Sequence, residues 1–112
     1  MKYVFVDGSG NRYSFENGSV TYDPMTPERS SSGVYSGGAP FSRELDKKEV
    51  IGLVDVFERA IWSEKDHTDK RTMGSGTLFK RVGEEQVRYY FRMNSNSMKE
   101  IITYLSKFKE KN

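Results

Sequence analysis

Turn dipeptides set between short alternating runs do most to limit what this chain can become. Arg12-Tyr13-Ser14-Phe15-Glu16 alternates polar and apolar with period two, the spacing that sends successive side chains to opposite faces of a strand. Asn17-Gly18 follows, a pair favoured in type I′ hairpin turns because both central residues need positive φ. Val20 and Tyr22 then resume the alternation up to Asp23-Pro24. Upstream, Tyr3-Val4-Phe5-Val6 is β-branched and aromatic, and Asp7 to Asn11 supplies the Gly and Asx residues that reverse a chain. Three strands in a meander are predicted. Thr77 to Val82 and Gln86 to Met93, joined across Gly83-Glu84-Glu85, make a second hairpin. In it Val87, Tyr89, Phe91 and Met93 share one face and Arg88, Tyr90 and Arg92 the other.

Two helices are written between and after these strands. Asp46 and Glu49 form a capping box, Leu45 and Val50 a hydrophobic staple, and Val50, Leu53, Val54, Phe57 and Ile61 follow at helical spacing, which predicts a helix over about 47–62. Ser97 with Glu100 is read as the cap of the last helix, whose apolar stripe is Ile101, Leu105 and Phe108. Lys107, Lys109 and Lys111 gather at its end, where the helix dipole favours cations. From Pro24 to Pro40 Ser, Gly and Pro forbid a helix, and only Val34-Tyr35 suggests a further strand. Residues 63–76 read as a long charged loop. The expected fold is α+β: an antiparallel sheet of five or six strands, in the order β-β-β-(β)-α-β-β-α, with two helices packed on one face. Its other face, with Arg12, Ser14, Glu16, Arg88, Tyr90 and Arg92, then meets solvent or a partner.

Composition narrows the rest. At 112 residues and 35% hydrophobic, the chain supports one core and so one domain over 1–112. Aromatic residues are 13% of it, and rings compensate for few aliphatics because each buries more area. The absence of cysteine excludes a disulfide framework, a thiolate metal site and a cysteine nucleophile. Net charge is only +2, but it is uneven: residues 1–56 carry −2 and residues 57–112 carry +4. No run approaches a membrane span or the apolar core of a secretory signal, so the default compartment is the cytoplasm; a secreted chain with its signal removed has the same composition.

Catalytic and metal chemistries find little to stand on. The single histidine, His67, lies among Glu64, Asp66 and Asp69, which as hard oxygen donors are metal candidates. There is no second histidine, and Lys65, Lys70 and Arg71 oppose a cation. Asp7-Gly8-Ser9-Gly10-Asn11 copies the first positions of a calcium loop but has Arg12 at the sixth position and Gly18 at the twelfth, where Gly and Glu are required. No phosphate-binding Gly-Lys-Ser/Thr end and no Gly-x-Ser-x-Gly elbow is present, and no pair of carboxylates is singled out by spacing. No enzyme and no cofactor is expected.

Two binding surfaces are expected instead, and a small-ligand or metal-binding protein using the His67 loop is a further alternative. Arg88-Tyr89-Tyr90-Phe91-Arg92, with Lys80 and Arg81 on the neighbouring strand, interleaves cations with rings as single-strand nucleic-acid binders do; Lys80, Arg88, Tyr90 and Arg92 are the residues of this alternative. The leading expectation is a protein partner held by the Ser/Gly-rich segment Ser32, Val34, Tyr35, Ser36, Gly37 and Gly38, because long loops in small domains are commonly used and Tyr35 offers an aromatic anchor. Ser36-Gly37-Gly38, an amphipathic helix, a loop, a two-strand hairpin and a closing helix, in that order over residues 33–108, resemble in arrangement the small protein inhibitors of metalloproteinases of the emfourin type. The resemblance implies an inhibitory module and transfers no site residue. No membrane partner is expected, and exposed Phe79 and Tyr90 leave the oligomeric state open.

Overall fold

The alternation read from the sequence becomes a sheet with one aromatic face. The structure, a computed structural model, describes residues 1–29, 33 and 36–110. The elements are β1 (Lys2–Val6), β2 (Arg12–Glu16), β3 (Ser19–Asp23), β4 (Phe41–Glu44), α1 (Lys47–Trp62), β5 (His67–Thr68), β6 (Gly76–Val82), β7 (Glu85–Phe91) and α2 (Asn96–Glu110). They make an antiparallel seven-stranded sheet in the order β4-β3-β2-β1-β6-β7-β5. The α+β class, the antiparallel sheet and the two packed helices are as expected; the strand number is higher.

Both extra strands lie where sequence signals are short. The fourth strand of the sheet is Phe41–Glu44, pairing β3 in the register Tyr22↔Phe41, while Val34-Tyr35 lies outside the described residues. The charged stretch after α1 is not one loop: a 3₁₀ turn at Glu64–Asp66 leads into the two-residue β5, whose His67 and Thr68 pair with Phe91 and Tyr90. Turn chemistry holds where it was read. Asn17 and Gly18 both take positive φ (52° and 75°), as a type I′ turn demands, and Gly83 takes φ 61° at the first position of a two-residue turn closed by Val82↔Glu85.

One sheet face is covered by α1 and α2. Tyr3, Phe5, Tyr13, Phe15, Val20, Tyr22, Leu78 and Phe91 point to it and are buried, meeting Leu53, Phe57, Ile101, Leu105 and Phe108 from the helices. Tyr3 stacks on Phe57 with ring centroids 4.9 Å apart, and Tyr13 meets Tyr22 at 4.6 Å. Such ring pairs add roughly 0.5–1.5 kcal/mol beyond the area they bury. Val87 and Met93, expected on the apolar face, are 47% and 60% exposed, because the β6–β7 hairpin outruns the helices at one end and the chain leaves the sheet after Phe91 at the other.

The capping box of α1 is complete: the Glu49 amide donates to Asp46 Oδ1 (2.8 Å) and the Asp46 amide to Glu49 Oε1 (3.0 Å). At α2 the cap differs from the expectation. Ser95 fills that role, its Oγ accepting from the Met98 amide and its carbonyl from the Lys99 amide. Ser97 is taken by Asp66, whose Oδ2 accepts from both the Ser97 amide (3.0 Å) and the Ser97 hydroxyl (2.6 Å).

Candidate functional site

The face of the sheet away from the helices is a lattice of cross-strand rows. Asp23, Arg12, Val6, Thr77 and Tyr90 form one row across β3, β2, β1, β6 and β7; Thr21, Ser14, Val4, Phe79 and Arg88 form the next. Among the described residues no helix covers this side, and a basin of about 450 Å³ lies on these two rows. Val6, Thr77 and Phe79 line it from the sheet, and Arg12, Arg29, Arg71 and Arg88 surround it.

The four guanidinium groups differ in what holds them. Arg29 lies 3.6 Å from Asp23, the one carboxylate of the lining, and donates to the Pro24 carbonyl (2.7 Å). Arg88 donates to the Tyr90 hydroxyl (2.9 Å) and lies over the Phe79 and Tyr90 rings, 5.6 and 5.8 Å from their centroids. Arg12 and Arg71 form no ion pair among the described residues and are exposed. A smaller hollow of about 190 Å³, lined by Lys2, Val4, Arg12, Phe79, Arg81 and Gln86, shares Arg12 and Phe79 with the basin and extends its positive charge.

Met25 and Arg29, on the chain that leads from β3 toward the Ser/Gly-rich segment, border the same basin. The chain leaves the sheet after β3 and is pinned where it returns: the Gly37 amide donates to the Met25 carbonyl (2.9 Å) and the Tyr22 hydroxyl to the Gly37 carbonyl (2.6 Å). Buried Asn11 completes this neck. Its Oδ1 accepts from the Met25 amide (2.8 Å), and Asp7 holds its amide and its carboxamide, both at 3.0 Å. A Cβ on Gly37 would collide with Asn11 Oδ1 and reach within 2.8 Å of the Tyr22 hydroxyl, so the backbone passes where only glycine fits. Met25 and Arg29, on the outgoing arm, line the basin. Ser36 and Gly38 are exposed beside the neck; Ser32, Val34 and Tyr35 lie outside the described residues.

Chain neighbours expected to act together are separated by the pleat. Lys80 faces Tyr3 and Val87 in the register, so it lies on the helix side, where Nζ is 2.8 Å from Glu58 Oε2. The same carboxylate accepts from the Tyr3 hydroxyl (2.6 Å). Partial burial alone would raise the Glu58 pKa, but the hydrogen bonds from Lys80 and Tyr3 and the Lys80 charge together hold it below the usual carboxylate value. Arg92 is exposed just beyond β7, its amide donating to the Asp66 carbonyl. Of the four residues grouped as a nucleic-acid face, only Arg88 and Tyr90 meet in the basin; Arg12 and Arg71 join them from elsewhere in the chain.

The residues of the His67 loop are drawn into structural bonds. His67 Nε2 is 2.9 Å from the Ala60 carbonyl, which can only accept, so Nε2 is the donor of this bond. Its ring packs against Tyr89 and Phe91. Asp66 holds Ser97, and Asp69 is exposed; the described residues contain no cluster of three metal-ligating side chains. Calorimetry with millimolar Zn²⁺ or Ca²⁺ is accordingly expected to stay flat, since a cation at Asp66 would have to displace both Ser97 bonds; a saturable heat lost in Asp66→Asn would contradict this.

Comparison with protein-family models, with curated proteins and with solved structures gives no match. Among the described residues no helix is long and apolar enough to cross a membrane.

Proposed function

We propose that this chain is a non-catalytic, protein-binding module of inhibitory type, whose partner contacts the Ser/Gly-rich segment returning through Ser36-Gly37-Gly38. The observation that carries the proposal is the neck. A segment of more than ten residues is held at its base by hydrogen bonds from Gly37 to Met25 and from Tyr22 to Gly37, backed by buried Asn11 and its bonds to Asp7. Fixing the base lowers the ordering cost that a binding segment pays on association, which is what an inhibitor loop requires. A connector from β3 to β4 with no further role would not need this apparatus, because the strands are antiparallel neighbours that a few residues can join.

Affinity capture from lysate tests it, comparing the native chain with one in which residues 30–36 are replaced by a short Gly-Ser link and with Tyr35→Ala. A partner captured only by the native chain is expected; equal capture by all three, or none by any, would overturn the proposal. The inhibitory form is checked by titrating the protein into metalloproteinases cleaving a fluorogenic peptide.

Gly37→Ala probes the neck directly. The added methyl group meets side chains that are themselves fixed by hydrogen bonds, so a loss of about 1–2 kcal/mol is expected, together with weaker capture. A Gly37→Ala chain with native stability and native capture would show that the neck does not position the segment.

A further inference from the structure

The basin on the open sheet face is not explained by the fold. Exposed arginines are ordinarily scattered among carboxylates, where each is partly compensated. Here four converge on one hollow that contains a single carboxylate among the described residues, and Asp23 is already engaged by Arg29. The remaining three come from distant parts of the chain, Arg12 on β2, Arg71 before β6 and Arg88 on β7, and are brought together by the central pairing of β1 with β6. Holding them near one another costs Coulomb energy that a bound anion would return. Arg88 is oriented in advance by the Tyr90 hydroxyl and by the two rings beneath it.

We infer that this face binds an acidic peptide segment of the protein partner, with carboxylates seated on Arg12, Arg71 and Arg88; the inference rests on the protein-binding reading above. Guanidinium groups match carboxylates through paired N–H donors, and Arg12 and Arg71 are exposed and form no ion pair among the described residues. Dimensions agree. The face from β3 to β7 is five strands wide, about 19 Å at ~4.8 Å per strand, and an extended six-residue peptide spans about 20 Å at ~3.3 Å per residue. The second hollow, with Lys2 and Arg81, continues the positive surface beyond the basin. The apolar floor of Val4, Val6 and Phe79 suits a segment in which acidic and apolar residues alternate.

A single-stranded nucleic acid would use the same cations, but it gains affinity chiefly by stacking bases on open rings. Here Arg88 lies over both Phe79 and Tyr90, 5.6 and 5.8 Å from the ring centroids, so a stacking base would compete with it for the same rings. That arrangement favours a ligand whose charges meet arginine and whose bulk does not need a stacking platform.

The experiment is fluorescence polarisation with a labelled hexaglutamate peptide and the full chain at low salt. Arg12→Ser/Arg71→Ser is compared with Lys47→Ser/Lys48→Ser, which removes the same charge from exposed positions at the start of α1. Affinity is expected to fall about tenfold or more in the basin variant and less than about twofold in the control, one charge-assisted contact being worth about a factor of ten. Binding should also weaken steeply as salt rises toward about 0.5 M. Unlabelled oligothymidylate and pyrophosphate serve as competitors. No peptide binding at low salt, equal losses in the two variants, or preference for either competitor over the peptide would overturn the inference.

The two readings fail separately. If the loop-shortened chain keeps its captured partner, the segment reading fails whatever the basin does. If the basin variant loses hexaglutamate yet captures the partner undiminished, the basin inference fails and the segment reading stands.

Discussion

Phe57→Ala is expected to cost about 3–5 kcal/mol, the range for deleting a fully buried ring. Phe57 is 1% exposed and lies in the middle of α1, stacked on Tyr3 of β1. The next residue along the helix, Glu58, takes the Tyr3 hydroxyl and the Lys80 ammonium, so one turn of α1 is tied to β1 and β6, the central pair of the sheet. Removing the ring leaves Tyr3 without its stacking partner and opens a void that the hydrogen-bonded Glu58 prevents from closing. Urea unfolding should show a lower midpoint at an unchanged slope, and thermal unfolding a fall of roughly 10–20 °C. A loss below about 1 kcal/mol would mean that the helix can settle onto the sheet, contrary to this picture. Arg12→Ser/Arg71→Ser, on the open face, should leave both curves within about 0.5 kcal/mol of native.

Asp66→Ala is expected to cost about 2–3 kcal/mol, since the buried carboxylate accepts two hydrogen bonds from Ser97 and its loss leaves the first turn of α2 without that anchor. The effect should depend on pH. The Ser97 hydroxyl above all, then its amide and the charges of Lys65 and His67, overcome the burial that would raise this carboxyl and hold its pKa below the ordinary aspartate value. A carboxylate with a lowered folded pKa contributes stability that is fully present above the unfolded value, about 3.9, and is lost as pH falls through the folded value. The gap between native and Asp66→Asn should therefore be full near neutrality and shrink below about pH 4. A gap independent of pH would show that the Asp66 charge is not what holds Ser97.

How much of this was legible in the sequence depends on the range of the interaction concerned. Asp46, Glu49, Leu45 and Val50 act within one turn of helix, and the cap forms as read. Asn17-Gly18 is equally local. Ser95 and Ser97 could not be told apart as caps, because Asn94-Ser95-Asn96-Ser97 offers several capping side chains, and the choice is made by Asp66, about thirty residues earlier. β4 is four residues long with three polar members, and β5 has only two residues; each is a strand because a neighbour supplies its hydrogen bonds, which no local pattern reveals. For the candidate site, alternation along β6 already groups Lys80 with Leu78 on the core face, so its separation from Arg88 was readable. The meeting of Arg12 with Arg88 was not: it requires knowing that β1 and β6, some seventy residues apart, are neighbours.

That β1–β6 pairing also shapes how the protein comes to exist. The ribosome delivers β1 to β4 and α1 first, and these can already form a meander with a helix over it. Its inner strand, however, waits with a bare backbone edge beside Tyr3 and Phe5 until β6 has been synthesised. Pairing across so long a stretch of chain is slow, and an unclosed edge next to buried rings is where a nascent chain can be captured by the wrong strand. The strand that seals the finished sheet is thus the one that leaves the newborn chain exposed for longest.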